Sequence, residues 1–113
     1  MNNLRNKVQL IGHVGQEPEV KTLTSGQVLA KLSIATSDIY KNKEGEKVKE
    51  TYWHNLIAWG KTATVIQNYV QKGQEIAVEG KLTNRSYDDK EGKKHYITEI
   101  IVNELLLMGT KKS

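Results

Sequence analysis

An all-β fold, five strands curled into one small barrel with a short helix at its end, is what this sequence predicts. Three observations carry the prediction. Apolar and polar residues alternate with period two in five segments, as they do in half-buried strands. Two of the segments between them are charged and centred on glycine, the composition of hairpin tips. Helical periodicity occurs once, just after Gly60.

Taken in order, Lys7 to Gly15 places Val8, Leu10, Gly12 and Val14 on one side of a first strand, and its two glycines suggest a bend where another strand crosses closely. Pro18 breaks that strand from a short continuation, Val20 to Leu23, before a turn at Thr24-Ser25-Gly26-Gln27. The second strand has Val28, Ala30, Leu32 and Ile34 inward and runs on to Tyr40. Lys41 to Glu50 reads as a solvated, mobile hairpin tip. Its return arm, Thr51 to Gly60, is dense in aromatic and β-branched residues. Alternation puts Trp53, Asn55, Ile57 and Trp59 on one face of that arm, and Tyr52, His54, Leu56 and Ala58 on the other.

The helix is expected over Lys61 to Lys72, with Val65, Ile66, Tyr69 and Val70 as its apolar stripe, Thr62 as its cap and Gly73 just past its end. A fourth strand, Glu75 to Tyr87, has Ile76, Val78, Gly80 and Leu82 inward and Lys81, Thr83, Arg85 and Tyr87 outward. Asp88 to Lys94 is the second tip. The last strand, His95 to Met108, has Tyr96, Thr98, Ile100 and Val102 on one face, and its end, Leu105-Leu106-Leu107-Met108, no longer alternates. As an open sheet these strands would expose their apolar faces; closed into a barrel, with the helix between strands three and four as a plug, they bury them. That layout is the OB-fold, a five-stranded Greek-key barrel whose outer face and loops suit oligonucleotides or oligosaccharides. Residues 1–109 are expected to form this domain and residues 110–113 a short basic tail.

Composition narrows the chemistry. The 113 residues suffice for one domain with a core of its own. Without cysteine there is no disulfide framework, zinc–thiolate site or thiol nucleophile. No stretch approaches the roughly eighteen apolar residues of a membrane span, and no secretory signal opens the chain, so a cytoplasmic location is expected. Seventeen Lys and Arg against thirteen Asp and Glu suit a polyanionic partner. The aromatics are five Tyr and two Trp with no Phe, a set with polar tips that favours half-wet surfaces.

Other signals point elsewhere only weakly. Gly60-Lys61-Thr62 imitates the end of a phosphate-binding loop, but Asn55 stands where its first glycine belongs. His13, His54 and His95 are isolated from one another, and no metal or cofactor is expected. The Asn84-Arg85-Ser86 sequon has no meaning without a secretory route. Glu17, Glu19, Asp88 and Asp89 sit in turn-like segments as solvated charges, so no catalytic constellation emerges.

A wall bearing two indoles is either a bulky core or interface face or a stacking platform. Trp53, Trp59, Tyr40 and Tyr87, interleaved with Lys81 and Arg85, favour the platform: rings stack on unpaired bases while cations follow phosphates. Duplex hides its base faces, so the expected ligand is single-stranded. An OB domain serving protein assembly or oligosaccharide binding is the alternative from another class.

The strings Asn6-Lys7-Val8, Gly12 to Val20, Ala35-Thr36-Ser37, Trp53-His54, Trp59 to Ala63, Tyr69 to Gly73 and Val78 to Leu82 resemble the bacterial single-stranded DNA-binding protein family, over about residues 3 to 108. The resemblance implies an OB-fold protomer, usually a homotetramer, that coats single-stranded DNA in replication, recombination and repair. A dimeric primosomal relative is the alternative. It implies stacking at Tyr40, Trp53, Trp59 and Tyr87, where the family often has Trp, Trp, Phe and Trp, and phosphate contacts at Lys7, Lys43, Lys61, Lys72 and Arg85. Asn55 stands where an arginine is common, and His54 matches a histidine near the subunit interface. Typical members continue into a flexible linker and an acidic tip that recruits repair and replication enzymes. This sequence stops at Ser113, so such recruitment is not expected if the chain is complete.

Overall fold

Pro18 and a two-residue strand contact decide how the chain closes on itself. The computed structural model describes residues 4–108, so the basic tail lies outside the described residues. After a 3₁₀ turn at Leu4–Asn6 come β1 (Val8–Val14), β2 (Glu19–Thr22), β3 (Val28–Lys41), β4 (Lys47–Trp59), α1 (Gly60–Tyr69), β5 (Glu75–Asp88) and β6 (Lys94–Leu107). The interruption at Pro18 turns the expected first strand into β1 and the short β2, and both pair with β3. The sheet order is β1-β5-β6-β4-β3-β2, and the pairs His13↔Ala35 and Val14↔Ile34 join β1 back to β3. Five strands thereby close into a barrel, with the helix between the third and fourth of its long strands, as expected. All pairings are antiparallel except β4 with β6, which meet in parallel at Leu56↔Ile100 and Ile57↔Ile101.

The inward faces follow the alternation. Ile34, Leu56, Ile66 and Ile76 are the largest fully buried side chains. Two glycines on that inner surface are steric necessities: a Cβ at Gly12 would lie 2.5 Å from the Ala35 carbonyl oxygen, and one at Gly80 would overlap the carbonyl oxygen of Ile101. Beside Gly80 the register shifts, from Glu79↔Glu104 to Gly80↔Val102, leaving Asn103 as an extra residue in β6. That bulge reverses the parity of the strand. Ile100 and Val102 point inward before it and Leu105 packs on the core after it, while Leu106 is 65% exposed. The bulge accounts for Leu105 following Val102 on the inner face, while Leu106 is an apolar residue on the outer one.

The helix corrects three expectations. Its buried residues are Ala63 and Ile66, with Val70 just beyond its end also buried, whereas Val65 and Tyr69 are exposed. At about 100° per residue the first three fall within an arc of about 60°, Val65 lies toward the opposite side and Tyr69 at the flank, so the plugging stripe runs through Ala63. Trp59 occupies the cap position with extended backbone and no side-chain cap, so Thr62 lies inside the first turn. The helix ends at Tyr69, and Gly73 belongs to the turn that follows, where its N–H donates to the Val14 carbonyl at 2.8 Å.

Both hairpin tips are shorter than expected, 42–46 and 89–93, and are built alike. Glu44 and Glu46 N–H groups each donate to Asn42 Oδ1 at 3.0 Å; Glu91 and Lys93 N–H groups donate to Asp89 Oδ1 at 2.9 and 2.8 Å. Such side-chain turns, each with a positive-φ glycine (Gly45, Gly92), order tips that composition alone reads as mobile. Lys47 to Glu50 consequently belong to β4. Because β4 and β6 run parallel where they meet, the two hairpins project from the same end of the barrel. Beyond the barrel their inner faces lose cover, and Leu82 is 44% and Tyr96 75% exposed.

Candidate nucleic-acid interface

The outer face of β4 carries Trp53, Asn55, Ile57 and Trp59, with Trp53 61% and Trp59 39% exposed. Neither indole is a core residue. Strand pairing sets Ala35 opposite Trp53, Ser33 opposite Asn55, Lys31 opposite Ile57 and Leu29 opposite Trp59. On the other side, Ile57 matches Ile101, and Ile101 matches Lys81. The same parity along β5 then brings Thr83, Arg85 and Tyr87 onto this surface. Trp53 rests over Gly15: a Cβ there would collide with its six-membered ring and lie 3.2 Å from Ser33 Oγ. Small residues at positions 15, 33 and 35 thus form a seat for the ring.

Tyr87 stacks on His95, ring centroids 5.2 Å apart and planes 20° from parallel. His95 Nε2 lies 2.7 Å from Asp89 Oδ2, and this hydrogen bond, followed by the Lys93 N–H, holds the Asp89 carboxyl below its ordinary pKa. The fourth predicted aromatic is placed differently. Tyr40 has the opposite parity to Trp53 and lies on the other face of the β3–β4 hairpin, near Glu50 and Tyr52. The Glu50 carboxylate raises the phenol pKa of both Tyr40 and Tyr52. Three of the four predicted rings therefore share one face, and Tyr40 has Tyr52 as its neighbour on the other.

The five predicted cations are spread out. Lys43 is at the tip that precedes β4 and Lys61 in the first turn of the helix that follows it, so the two mark the ends of the aromatic strand. Lys72 lies in the loop before β5, where its backbone N–H donates to Glu17 Oε1 at 2.9 Å. Lys7 Nζ is 3.6 Å from Glu79 Oε1. Arg85 is committed to Glu99, through Nε to Oε1 at 2.9 Å and Nη2 to Oε2 at 3.2 Å, and these bonds raise its pKa further. Glu99 is the one buried charged residue among the described residues, 7% exposed. It forms the floor of a concavity of about 470 Å³ at the foot of the two hairpins, with Lys31, Ser33, Asn55 and Ile57 in its walls. His54 is half-buried on the inner face, its Nε2 2.9 Å from Thr36 Oγ1.

The residues that sequence reasoning missed are Glu99, His95 and Tyr52. Each becomes visible only once cross-strand register is known. Among the described residues no group of three or more His, Cys, Asp or Glu is placed to hold a metal ion, and no helix is long and apolar enough to cross a membrane.

Comparison with known proteins decides the family. The model of the single-strand binding protein family matches residues 5–108. The chain belongs to that family. It is 42% identical over 109 residues to single-stranded DNA-binding protein 1 of Chlorobaculum tepidum, covering 96% of this chain and 67% of that one. With single-stranded DNA-binding protein 1 of Xylella fastidiosa it shares 39% identity over 108 residues, 95% of this chain and 79% of the relative. Among solved structures it resembles the Plasmodium falciparum SSB complex with ssDNA, with TM-score 0.84 and 32% identity over 92% of this chain and 95% of that one. A deletion mutant of the single-stranded DNA binding protein from Thermus aquaticus matches at TM-score 0.80 and 24% identity, over 92% of this chain and 50% of that one, a likeness of fold. For this family member the OB-fold expected from the strand pattern is the fold observed.

Proposed function

We propose that this family member binds single-stranded DNA with little sequence preference and coats it during replication, recombination and repair, without a catalytic step. The observation that carries the reading is the exposure of both tryptophans on one face of β4, with small residues beside Trp53 that leave its ring open. Trp53, Trp59 and Tyr87 stack on bases from this face, with Tyr40 contributing from the other side of the hairpin, each worth about 1–3 kcal/mol. Lys7, Lys43, Lys61 and Lys72 follow the phosphates. Arg85, its charge already matched by Glu99, offers its remaining N–H groups in a fixed orientation. Relatives named as single-stranded DNA-binding proteins and a neighbour solved with ssDNA support the same ligand.

The functional unit is a homo-oligomer, a tetramer rather than a dimer, acting in the cytoplasm on nucleoid DNA. What supports a contact between copies is an apolar row, Ile11, Ala77 and Leu106, aligned by register across the outer face of β1, β5 and β6, with Ile11 54% and Leu106 65% exposed; the tetramer follows the family resemblance. His54 lies near a contact between copies in this reading. Light scattering measures the state directly, and Ile11→Glu is expected to dissociate it.

Titration with oligo-dT tests the ligand. Tryptophan emission is expected to be quenched at low salt, and log K to fall with log salt by about 0.7 per phosphate neutralised. Trp53→Ala and Trp59→Ala should each weaken binding with the fold intact. No quenching at low salt would overturn the proposal.

A further inference from the structure

The 3₁₀ turn at Leu4–Asn6 is held to β5 by one side chain. Asn6 Nδ2 donates to the Leu82 carbonyl at 3.0 Å, and the Leu82 N–H donates back to Asn6 Oδ1 at 2.9 Å. Two bonds from one amide reproduce a strand-pairing exchange, and they fix the residues on either side of Asn6 against the sheet. What they fix is charge. Arg5, Lys7 and Lys81 line a pocket of about 360 Å³ beside the β-bulge, with Asn6, Glu79 and Asn103 completing its wall. Glu79 accepts from Gln9 Nε2 at 3.3 Å and lies 3.6 Å from Lys7 Nζ, so its charge is already shared. Among the described residues neither Arg5 nor Lys81 has a carboxylate within ion-pair distance. Three cations against one carboxylate leave the pocket positive.

Its position gives the charge a use. The register Lys81↔Ile101, Ile101↔Ile57 and Ile57↔Lys31 runs one row across the outer face of four strands, and Lys7 lies one residue before Val8, the partner of Gly80. The pocket is therefore on the surface that carries Trp53 and Trp59, two strand spacings or roughly 10 Å from β4. We propose that Arg5, Lys7 and Lys81 form a phosphate subsite for an internal phosphodiester of the strand that stacks on β4, with Asn6 as the positioning residue that assembles it. The proposal rests on the single-stranded DNA reading and adds an anchor at the far edge of the same face. Neither Arg5 nor Lys81 stands at a position that the family resemblance assigns to DNA.

The test is an oligo-dT titration across salt on the wild-type chain, the surface variant Arg5→Gln with Lys81→Gln, and Asn6→Ala, each checked by circular dichroism and melting. The double variant should bind roughly fivefold more weakly at low salt and lose about 0.7 to 1 from the salt slope. Its quenching at saturation should be unchanged, because the stacked rings are untouched. Asn6→Ala keeps every charge yet should show a similar loss, which bulk electrostatics cannot produce. Unchanged affinity and slope in the double variant overturn the subsite. A loss confined to 5′-phosphorylated oligonucleotides overturns its assignment to an internal phosphate. Wild-type behaviour of Asn6→Ala beside a weakened double variant overturns the assembled pocket in favour of bulk charge. If the wild-type chain itself fails to bind, the single-stranded DNA reading falls and the subsite with it.

Discussion

Gly15→Ala is the perturbation that asks most directly whether Trp53 is held ready for a ligand. Gly15 is not among the positive-φ glycines, so alanine suits its backbone. On conformational grounds alone the change should stabilise by about 0.4–1 kcal/mol. The new Cβ would collide with the Trp53 ring and sit 3.0 Å from Cη2. Because the ring is 61% exposed it can swing outward, and the backbone need not move. About two fifths of the side chain is covered at present, roughly 100 Å² on the scale of a large aromatic. At about 25 cal/mol/Å² that contact is worth at most about 2.5 kcal/mol. Re-seating the ring against a methyl group forfeits part of this, about 1 kcal/mol, or roughly fivefold in affinity. In a Trp59→Phe background, where Trp53 is the one indole left, its emission should shift toward that of a solvated ring. Oligo-dT affinity should fall about fivefold at a melting temperature close to the parent's. Unchanged emission and affinity would show that the ring does not rest on Gly15. A large loss of stability with unchanged binding would show that the backbone, and not the ring, gave way.

Two further substitutions separate structural from electrostatic roles. Gly80→Ala drives a methyl group into the Ile101 carbonyl, where only backbone can yield, so it should destabilise by about 2–4 kcal/mol and lower the midpoint of denaturant unfolding. Unfolding indistinguishable from the parent's would refute the close approach at the bulge. Glu99→Gln releases the Arg85 charge that the carboxylate now balances. The salt slope for oligo-dT should steepen by about 0.7 as one more phosphate is neutralised. A shallower slope would mean that Arg85 meets DNA only when Glu99 holds it.

Much of the candidate face is legible in the sequence because strand alternation is local. Trp53, Asn55, Ile57 and Trp59 share a face whatever lies beside them, and the structure leaves both rings exposed on it. Tyr40 shows the limit. Grouping it with Trp53 from aromatic content passed over its parity across the hairpin, which sets Thr36 opposite Tyr52 and Ala35 opposite Trp53. Arg85 shows another. Its charge is visible in the chain, but the carboxylate that balances it lies fourteen positions away, brought alongside by the pairing of β5 with β6.

The sequence by itself determined the number and order of the long strands, the one helix between the third and fourth of them, the two hairpin tips, and the face that bears the tryptophans. Each depends on periodicity or turn chemistry within about ten residues. Only the tertiary structure decided the rest: closure through the short β1–β3 contact, the bulge at Asn103 that reverses the end of β6, the helix stripe through Ala63, the burial of Glu99, and the joining of Arg5, Lys7 and Lys81 around Asn6. These are outcomes of contacts between segments far apart in the chain. For the strand residues among them, Glu99 and Lys81, a shift of one residue in register would carry the side chain to the opposite face.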